Sequence, residues 1–385
     1  MTVADRPARP TIPPARYADR LARAAAGGEA AGLDAMIVGV GSDLRYLTGY
    51  AAMPLERLTA LVLAPGRDPW LVVPRLERGA AEAGVRTPLE LRTWEETEDP
   101  YAVATDGIGT ASGRVALSDA MLAMHVLGIQ RTLAPTTRYE LASTVLRELR
   151  MTKDEDEIAL LRSAAHAADR VVAQIAAGRL VGRTEADVAR EVRERLVAEG
   201  HDEAVFQIVA SGPNSASPHH EASDRVIRAG EPIVLDIGGT LGGYGSDITR
   251  TLWVTGGDEA KGPDERFRHL FGVLHGAQAA ARRAVRPGIA CEAIDAAART
   301  PIAAEGYGDA FFHRTGHGIG LDGHEDPYII SGNARPIGSG MAFSVEPGIY
   351  LVGQHGARIE DIVVCGADGP VELNEAPREL LVVDG

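Results

Sequence analysis

Cysteine is nearly absent from this chain: Cys291 and Cys365 are the only two in 385 residues. Two cysteines build neither a disulfide framework nor a thiolate metal knuckle, and a reducing cytoplasm is the compartment that fits. No apolar run approaches the roughly 20 residues of a membrane span. The opening MTVADRPARPTIPPARY has no apolar core behind its charges, so no signal peptide is expected. Positive charge is also in deficit, with 39 Lys and Arg against 54 Asp and Glu and a formal net charge of −15. That balance argues against nucleic acid and against an anionic membrane as partners. There is no internal repeat, and biased sequence is confined to the Ala/Arg-rich N-terminal arm. The remainder, 45% hydrophobic and 24% charged, is ordinary globular composition.

A chain this long holds one large domain or two of common size. Residues 17–30 read as a helix, 35–40 as an apolar strand, and 61–63 with 70–73 as a hairpin around the turn PGRD. Strand–helix alternation continues to about 135, so residues 1–150 are expected to form an α/β domain, one without a dense group of metal-type ligands. Thr152-Lys153-Asp154-Glu155 then fits a capping box opening a long amphipathic helix, with Ile158, Leu161, Ala165 and Val172 on its inner side. Further helices at 184–199, 264–285 and 291–305 alternate with glycine-bounded strands. Residues 151–385 therefore read as an α+β domain with antiparallel pairing.

The chemistry gathers in this second part. In VLDIGGTLGGYGSDITRT (234–251), Asp236 follows an apolar run and Asp247 lies across a glycine-rich connection. A turn centred between Leu241 and Gly242 would set the two carboxylates directly opposite each other, where like charges repel. A raised pKa, an arginine or a bound cation must then offset the repulsion. Arg250, three residues beyond Asp247, faces the other side of the strand. The plain alternative is a glycine-rich hairpin with two solvated acids. A second stretch, FSVEPGIYLVGQHGARIEDIVV (343–364), repeats the pattern: an odd-length turn at Gly353 would oppose Glu346 and Glu360. Between them, FFHRTGHGIGLDGHEDP (311–327) carries His313, His317 and His324 among glycines, and SGPNSASPHHEASD (211–224) carries His219 and His220. No HExxH follows His324-Glu325, so the helical zinc signature is absent. Two carboxylate pairs and one imidazole are an oxygen-rich set. It suits a pair of divalent ions of borderline hardness, Mn²⁺, Co²⁺, Fe²⁺ or Zn²⁺, sharing bridging carboxylates around an activated water.

Over nearly its whole length the chain resembles the prolidase / Xaa-Pro aminopeptidase / creatinase family, and within it most of all a bacterial Xaa-Pro dipeptidase. The resemblance implies a pita-bread α+β catalytic domain over 151–385 and a smaller, non-catalytic α/β creatinase-type domain over 1–150, where SDLRYLTGY (42–50) is similar to the family. It places the five metal ligands on Asp236, Asp247, His317, Glu346 and Glu360, and the ions as a pair, manganese foremost. It places two substrate-side histidines on His219 and His324, and Arg358 and Tyr350 beside the metals. The implied reaction is hydrolysis of the bond before proline in a di- or oligopeptide, by a dipeptidase in preference to an aminopeptidase. Glu346 would carry the proton to the leaving nitrogen, His219 and His324 would hold the carbonyl oxygen, Arg358 would orient a ligand carboxylate, and His313 would line the substrate pocket. A homodimer is expected. One departure stands out: Tyr328 occupies a position where many prolidases carry an arginine that clamps the dipeptide carboxylate. Arg335 in the same loop, and Arg45 in a loop after the first strand and reaching across a dimer, are the candidate replacements. Two rivals have less support. A metal-independent creatinase-like C–N hydrolase would not need the intact ligand set, and a non-catalytic binding protein on this fold would be expected to have lost ligands or histidines.

Overall fold

In the computed structural model, residues 9–108 and 113–385 are described, so the first residues of the arm where no signal peptide is expected lie outside them. The chain divides into two compact units, residues 12–150 and, with a short N-terminal piece, 151–385. The first unit runs α1 (Pro14–Ala30), β1 (Ala35–Gly39), α2 (Ser42–Thr48), β2 (Ala60–Leu63), β3 (Trp70–Pro74), α3 (Arg78–Gly84), β4 (Glu90–Trp94), α4 (Pro100–Thr105), β5 (Arg114–Leu117), α5 (Ala123–Thr132), β6 (Arg138–Leu141) and α6 (Ser143–Met151). Its six strands make one mixed sheet in the order β4-β3-β2-β1-β5-β6. Strands β1, β2 and β3 are buried at every residue, as expected for apolar runs covered on both faces. Arg45 is not on a loop. It lies within α2, which Gly49 ends in a left-handed conformation (φ 80°) that favours glycine.

The second unit contains α7 (Glu155–Ala176), α8 (Glu185–Ala198), β7 (Glu203–Ser211), β8 (Glu231–Leu241), β9 (Tyr244–Val254), α9 (Glu265–Ala284), α10 (Cys291–Ala304), β10 (Gly316–Gly318), β11 (Glu325–Ile329), β12 (Ala342–Val345), β13 (Gly348–Leu351), β14 (His355–Arg358), β15 (Asp361–Cys365), β16 (Pro370–Glu372) and β17 (Leu381–Val383). One sheet has the order β17-β9-β8-β7, a second β11-β10-β12-β15-β16, and β13-β14 form a separate hairpin. All pairs here are antiparallel except β17 with β9. The capping box sits two residues later than the sequence suggested, with Asp154 and Glu157 as the reciprocal pair. Thr152 bridges to Met341 and the Lys153 amide donates to Gly340, so the chain is still extended there and the helix cannot begin. Leu161, Ala165 and Val172 face inward on α7, while Ile158 is only partly covered.

The two carboxylate hairpins differ in register. β8 and β9 turn at Gly242-Gly243, both at positive φ (66° and 90°), the two-residue geometry that matches strand twist. Asp236 therefore pairs with Thr249 and Asp247 with Gly238, two residues away from the expected direct opposition. A shift of two keeps side chains on the same face, so the aspartates become diagonal neighbours. The glutamate segment keeps the expected register: Val345 pairs with Asp361 and Gly348 with Arg358, around residues 352–354 with Gly353 at φ 77°. Glu346 and Glu360 lie in the gap between these ladders. There Pro347 offers no N–H, and Glu360 bridges to Thr249, tying β9 to the second sheet.

Candidate active site

Strands β8 and β9 supply Asp236 and Asp247, β10 supplies His317, and the ends of β12 and β15 supply Glu346 and Glu360. Asp247, His317 and Glu360 each offer a ligand atom, all within 4.8 Å of one another. His317 Nε2 lies 3.6 Å from Asp247 Oδ2 and 3.3 Å from Glu346 Oε1. The His317 Nδ1–H donates to the Gly318 carbonyl at 3.1 Å, which assigns the Nε2 lone pair to the carboxylate side. Burial, then the neighbouring His324, hold its pKa down at about 3, so the ring is neutral, the form that ligates metal. Asp236 accepts from Arg358 Nη2 through Oδ2, while its Oδ1 is buried with no hydrogen-bond partner.

Charge shows what this arrangement requires. Burial, then Asp236 and Glu346, push Asp247 well above the usual carboxylate range, and burial followed by Asp247 and Glu346 does the same to Glu360. Burial also lifts Glu346 to about 7, against the pull of Arg358. One arginine does not neutralise four carboxylates. A divalent cation would reverse the raised pKa values and occupy the unused Asp236 oxygen, so the donor set fits a metal.

Arg358 is fully buried yet well above its usual pKa, because Tyr350, Asp236 and Glu360 outweigh the cost of burial. Its Nη1 donates to Tyr350 Oη at 2.7 Å, Nε to Thr249 Oγ1 at 3.1 Å and Nη2 to the Pro218 carbonyl at 3.2 Å. His313 donates from Nδ1 to the Arg314 carbonyl at 2.7 Å, leaving Nε2 to accept from Tyr350 O–H at 3.0 Å. Burial raises Tyr350 to about 12 and lowers His313 to about 4. Both are neutral, and they brace Arg358 against Asp236.

The carboxylate cluster opens on a cavity of ≈ 1270 Å³, ample for a small peptide, which His219, His313 and His324 also line. His219 and His324 are exposed there, and the His324 ring centre lies 4.0 Å from that of His317. Tyr328 stacks beneath the guanidinium of Arg314 at 4.7 Å. Arg335 does not line the cavity, and Arg45 lies in the other unit.

Three supports escape a reading of the sequence. Glu185, fully buried at the start of α8, accepts from Ser211 N (2.8 Å), Ser211 Oγ (2.7 Å), Asn214 Nδ2 (3.0 Å), His220 Nε2 (2.7 Å) and Ser223 Oγ (2.7 Å). Burial alone would raise Glu185, but bonds from Ser223, Ser211 and His220 bring it down to about 2. It thus gathers the polar loop that presents His219 and tethers the ring of His220, which lines the same cavity. Asp295 accepts from Thr315 Oγ1 (2.7 Å) and from Arg299, which also holds the His313 carbonyl (2.8 Å). Arg250 bonds the Glu360 carbonyl (2.7 Å) and Asp361 (2.7 Å). The Ser/Asn/His-rich loop signals that an acceptor is needed. No sequence feature says which acid serves.

Residues 159–367 match metallopeptidase family M24, and residues 20–152 match the creatinase/prolidase N-terminal domain. A probable dipeptidase PepE of Mycobacterium tuberculosis is 48% identical over 370 residues, covering 95% of this chain and 96% of its own. An Xaa-Pro dipeptidase of Pyrococcus horikoshii is 31% identical, covering 91% and 95%. The crystal structure of dipeptidase PepE from Mycobacterium ulcerans superposes with a TM-score of 0.90 at 45% identity, covering 97% of this chain and 99% of that one.

Proposed function

The chain belongs to metallopeptidase family M24, and from that premise we propose that it is a dinuclear-metal dipeptidase cleaving the peptide bond before proline. The observation carrying this reading is the buried, under-neutralised cluster of Asp247, His317 and Glu360 at ligand separation, facing a peptide-sized cavity. Residues 151–385 perform the catalysis, and residues 1–150 are non-catalytic. Asp236, Asp247, His317, Glu346 and Glu360 hold two divalent ions, and manganese suits their oxygen-rich set. When bound, the ions supply a water activated for attack and polarise the scissile carbonyl. Glu346 takes a proton at a carboxylate oxygen and delivers it to the leaving nitrogen. The ring N–H groups of His324 and His219 hold the carbonyl oxygen as negative charge develops on it. Arg358, braced by Tyr350 and His313, fixes Asp236. Substrates are proline-containing dipeptides ahead of oligopeptides, and the enzyme works as a cytoplasmic homodimer.

The test is direct. We expect metal analysis to find close to two divalent ions per chain, and loaded protein to release proline from glycyl-proline faster than it trims an Xaa-Pro tripeptide. Chelation should abolish both activities and added Mn²⁺ restore them. Undiminished turnover after chelation, or silence of the loaded protein on prolyl dipeptides, would overturn the reading.

A further inference from the structure

Among the described residues, four arginines line the cavity, Arg190, Arg193, Arg314 and Arg358, and no lysine does. They are not equally available to a substrate. Arg358 is fully committed to Asp236, Tyr350, Thr249 and the Pro218 carbonyl. Arg190 pairs with Asp187 at 3.1 Å on the solvent side of α8, and Arg193 is exposed on the same helix. Arg314 is half-buried, and among the described residues no carboxylate pairs with it. One face of its guanidinium is covered by the Tyr328 ring at 4.7 Å, and Nη2 lies 3.3 Å from His324 Nδ1. Stacking fixes the plane of the fork and leaves N–H groups at its edge, the geometry that grips a carboxylate through two parallel bonds.

The neighbouring residues say which carboxylate. Phe312, two residues before Arg314, is 60% exposed, lines the same cavity and packs on Tyr350 at 5.5 Å between ring centres. An apolar ring and an unpaired cation thus stand side by side, close to His324 and the carboxylate cluster. We propose that Arg314 is the carboxylate clamp of this enzyme, holding the free C-terminus of a dipeptide whose apolar last residue lies against Phe312. The inference rests on the peptidase reading above and makes dipeptide selection a property of a single catalytic unit, without Arg45 or Arg335. Arg314 has a second contact with consequences. By donating to His324 Nδ1 it leaves Nε2–H as the donor that His324 presents to the cavity.

These two effects separate kinetically. The readout is the ratio of kcat/KM for glycyl-proline to that for glycyl-prolinamide, which lacks the carboxylate. We expect Arg314→Met to lower this ratio by about 10–100-fold, the range for losing a charge-assisted bond, mostly through KM of the dipeptide. Arg314→Lys should restore part of it, and Arg193→Ala should leave it unchanged. An equal fall for both substrates would reduce Arg314 to a positioning residue for His324 and overturn the clamp. So would a collapse of the ratio in Arg193→Ala. A wild type inactive on both peptides contradicts the prolyl reading before any variant is made. Calorimetric binding of the same two peptides then decides the clamp: a carboxylate preference lost in Arg314→Met supports it, and a preference that survives overturns it.

Discussion

Glu360 and Asp361 are neighbours in sequence, both fully buried, and their surroundings treat them in opposite ways. β9 receives them in step: Thr249 Oγ1 donates to Glu360 at 2.8 Å, and Arg250 Nη2 to Asp361 at 2.7 Å. Alternation along a strand sends the two carboxylates to opposite faces. On the Asp361 side wait Arg250, Arg378 Nε at 2.6 Å and Gln278 Nε2 at 2.8 Å. Burial alone would raise Asp361, but the two arginines outweigh it and hold the group below its usual range. On the Glu360 side lie Asp247, Glu346 and Asp236, and the pKa moves the other way. The protein neutralises one acid with its own cations and withholds them from the other. That withheld charge marks the candidate metal site: a structural ion pair is completed by the chain, whereas this cluster is left short of positive charge that a bound cation would supply.

The sharpest way to break the comparison is to remove one acid from each side. Asp247→Asn should lower kcat by more than the roughly 10–100-fold that loss of a ligand's outer partner costs, and metal content should fall with it. In the metal-free protein the same change relieves like-charge repulsion, so stability in urea should rise by on the order of 1 kcal/mol. Asp361→Asn leaves Arg250 buried and uncompensated, and should destabilise the protein by roughly 3–5 kcal/mol whether or not metal is present. If Asp247→Asn destabilises the metal-free protein as Asp361→Asn does, the two sides are not different in kind.

A smaller effect separates holding charge from doing chemistry. His324 borders the cluster without belonging to the group of Asp247, His317 and Glu360. His324→Ala should retain the ions yet lose about 10²-fold in kcat, as removal of one donor to a developing oxyanion does. Metal analysis and steady-state kinetics on one preparation check both halves, and unchanged kcat would remove His324 from catalysis.

Much of this contrast is legible in the amino-acid sequence, and the remainder is hidden there for definite reasons. Strand parity is local, so the faces carrying Asp236, Asp247, Glu346 and Glu360 follow from counting residues. Turn register is not local in that sense. Counting cannot choose between Leu241-Gly242 and Gly242-Gly243, and two positive-φ glycines favour the latter. The capping box has two acceptable phases, and only the hold of Gly340 on Lys153 selects Asp154. Arg250 is legible as facing away from Asp247. Its true partners, Asp361 and the Glu360 carbonyl, lie over a hundred positions on and are invisible to any window. Glu185 and Arg314 are hidden alike, because what distinguishes them is the set of groups converging on them in space.

The smallest expected effect concerns a third kind of buried group, one kept neutral with no partner charge. His201 donates from Nδ1 to the Leu196 carbonyl at 3.2 Å, and its Nε2 faces Ser246 Oγ at 2.8 Å, beside Asp247 in β9. Burial lowers its pKa from 6.5 to about 4. Between those values the unfolded chain binds a proton that the folded chain refuses, so stability is full above about pH 6.5 and declines as pH falls toward about 4. Each pH unit within the window is worth about 1.4 kcal/mol, so acidification from about pH 7.5 to about pH 5 should withdraw roughly 2 kcal/mol through this residue. His201→Gln, which cannot titrate, should cost stability at the higher pH and much less at the lower. The gap between variant and wild type in urea unfolding should therefore narrow by roughly 2 kcal/mol across that range. Other histidines with lowered pKa, His313 among them, cancel in the difference. A gap that stays constant with pH would mean that His201 is protonated as readily in the fold as out of it, and that the wall behind Asp247 is wetter than its burial indicates.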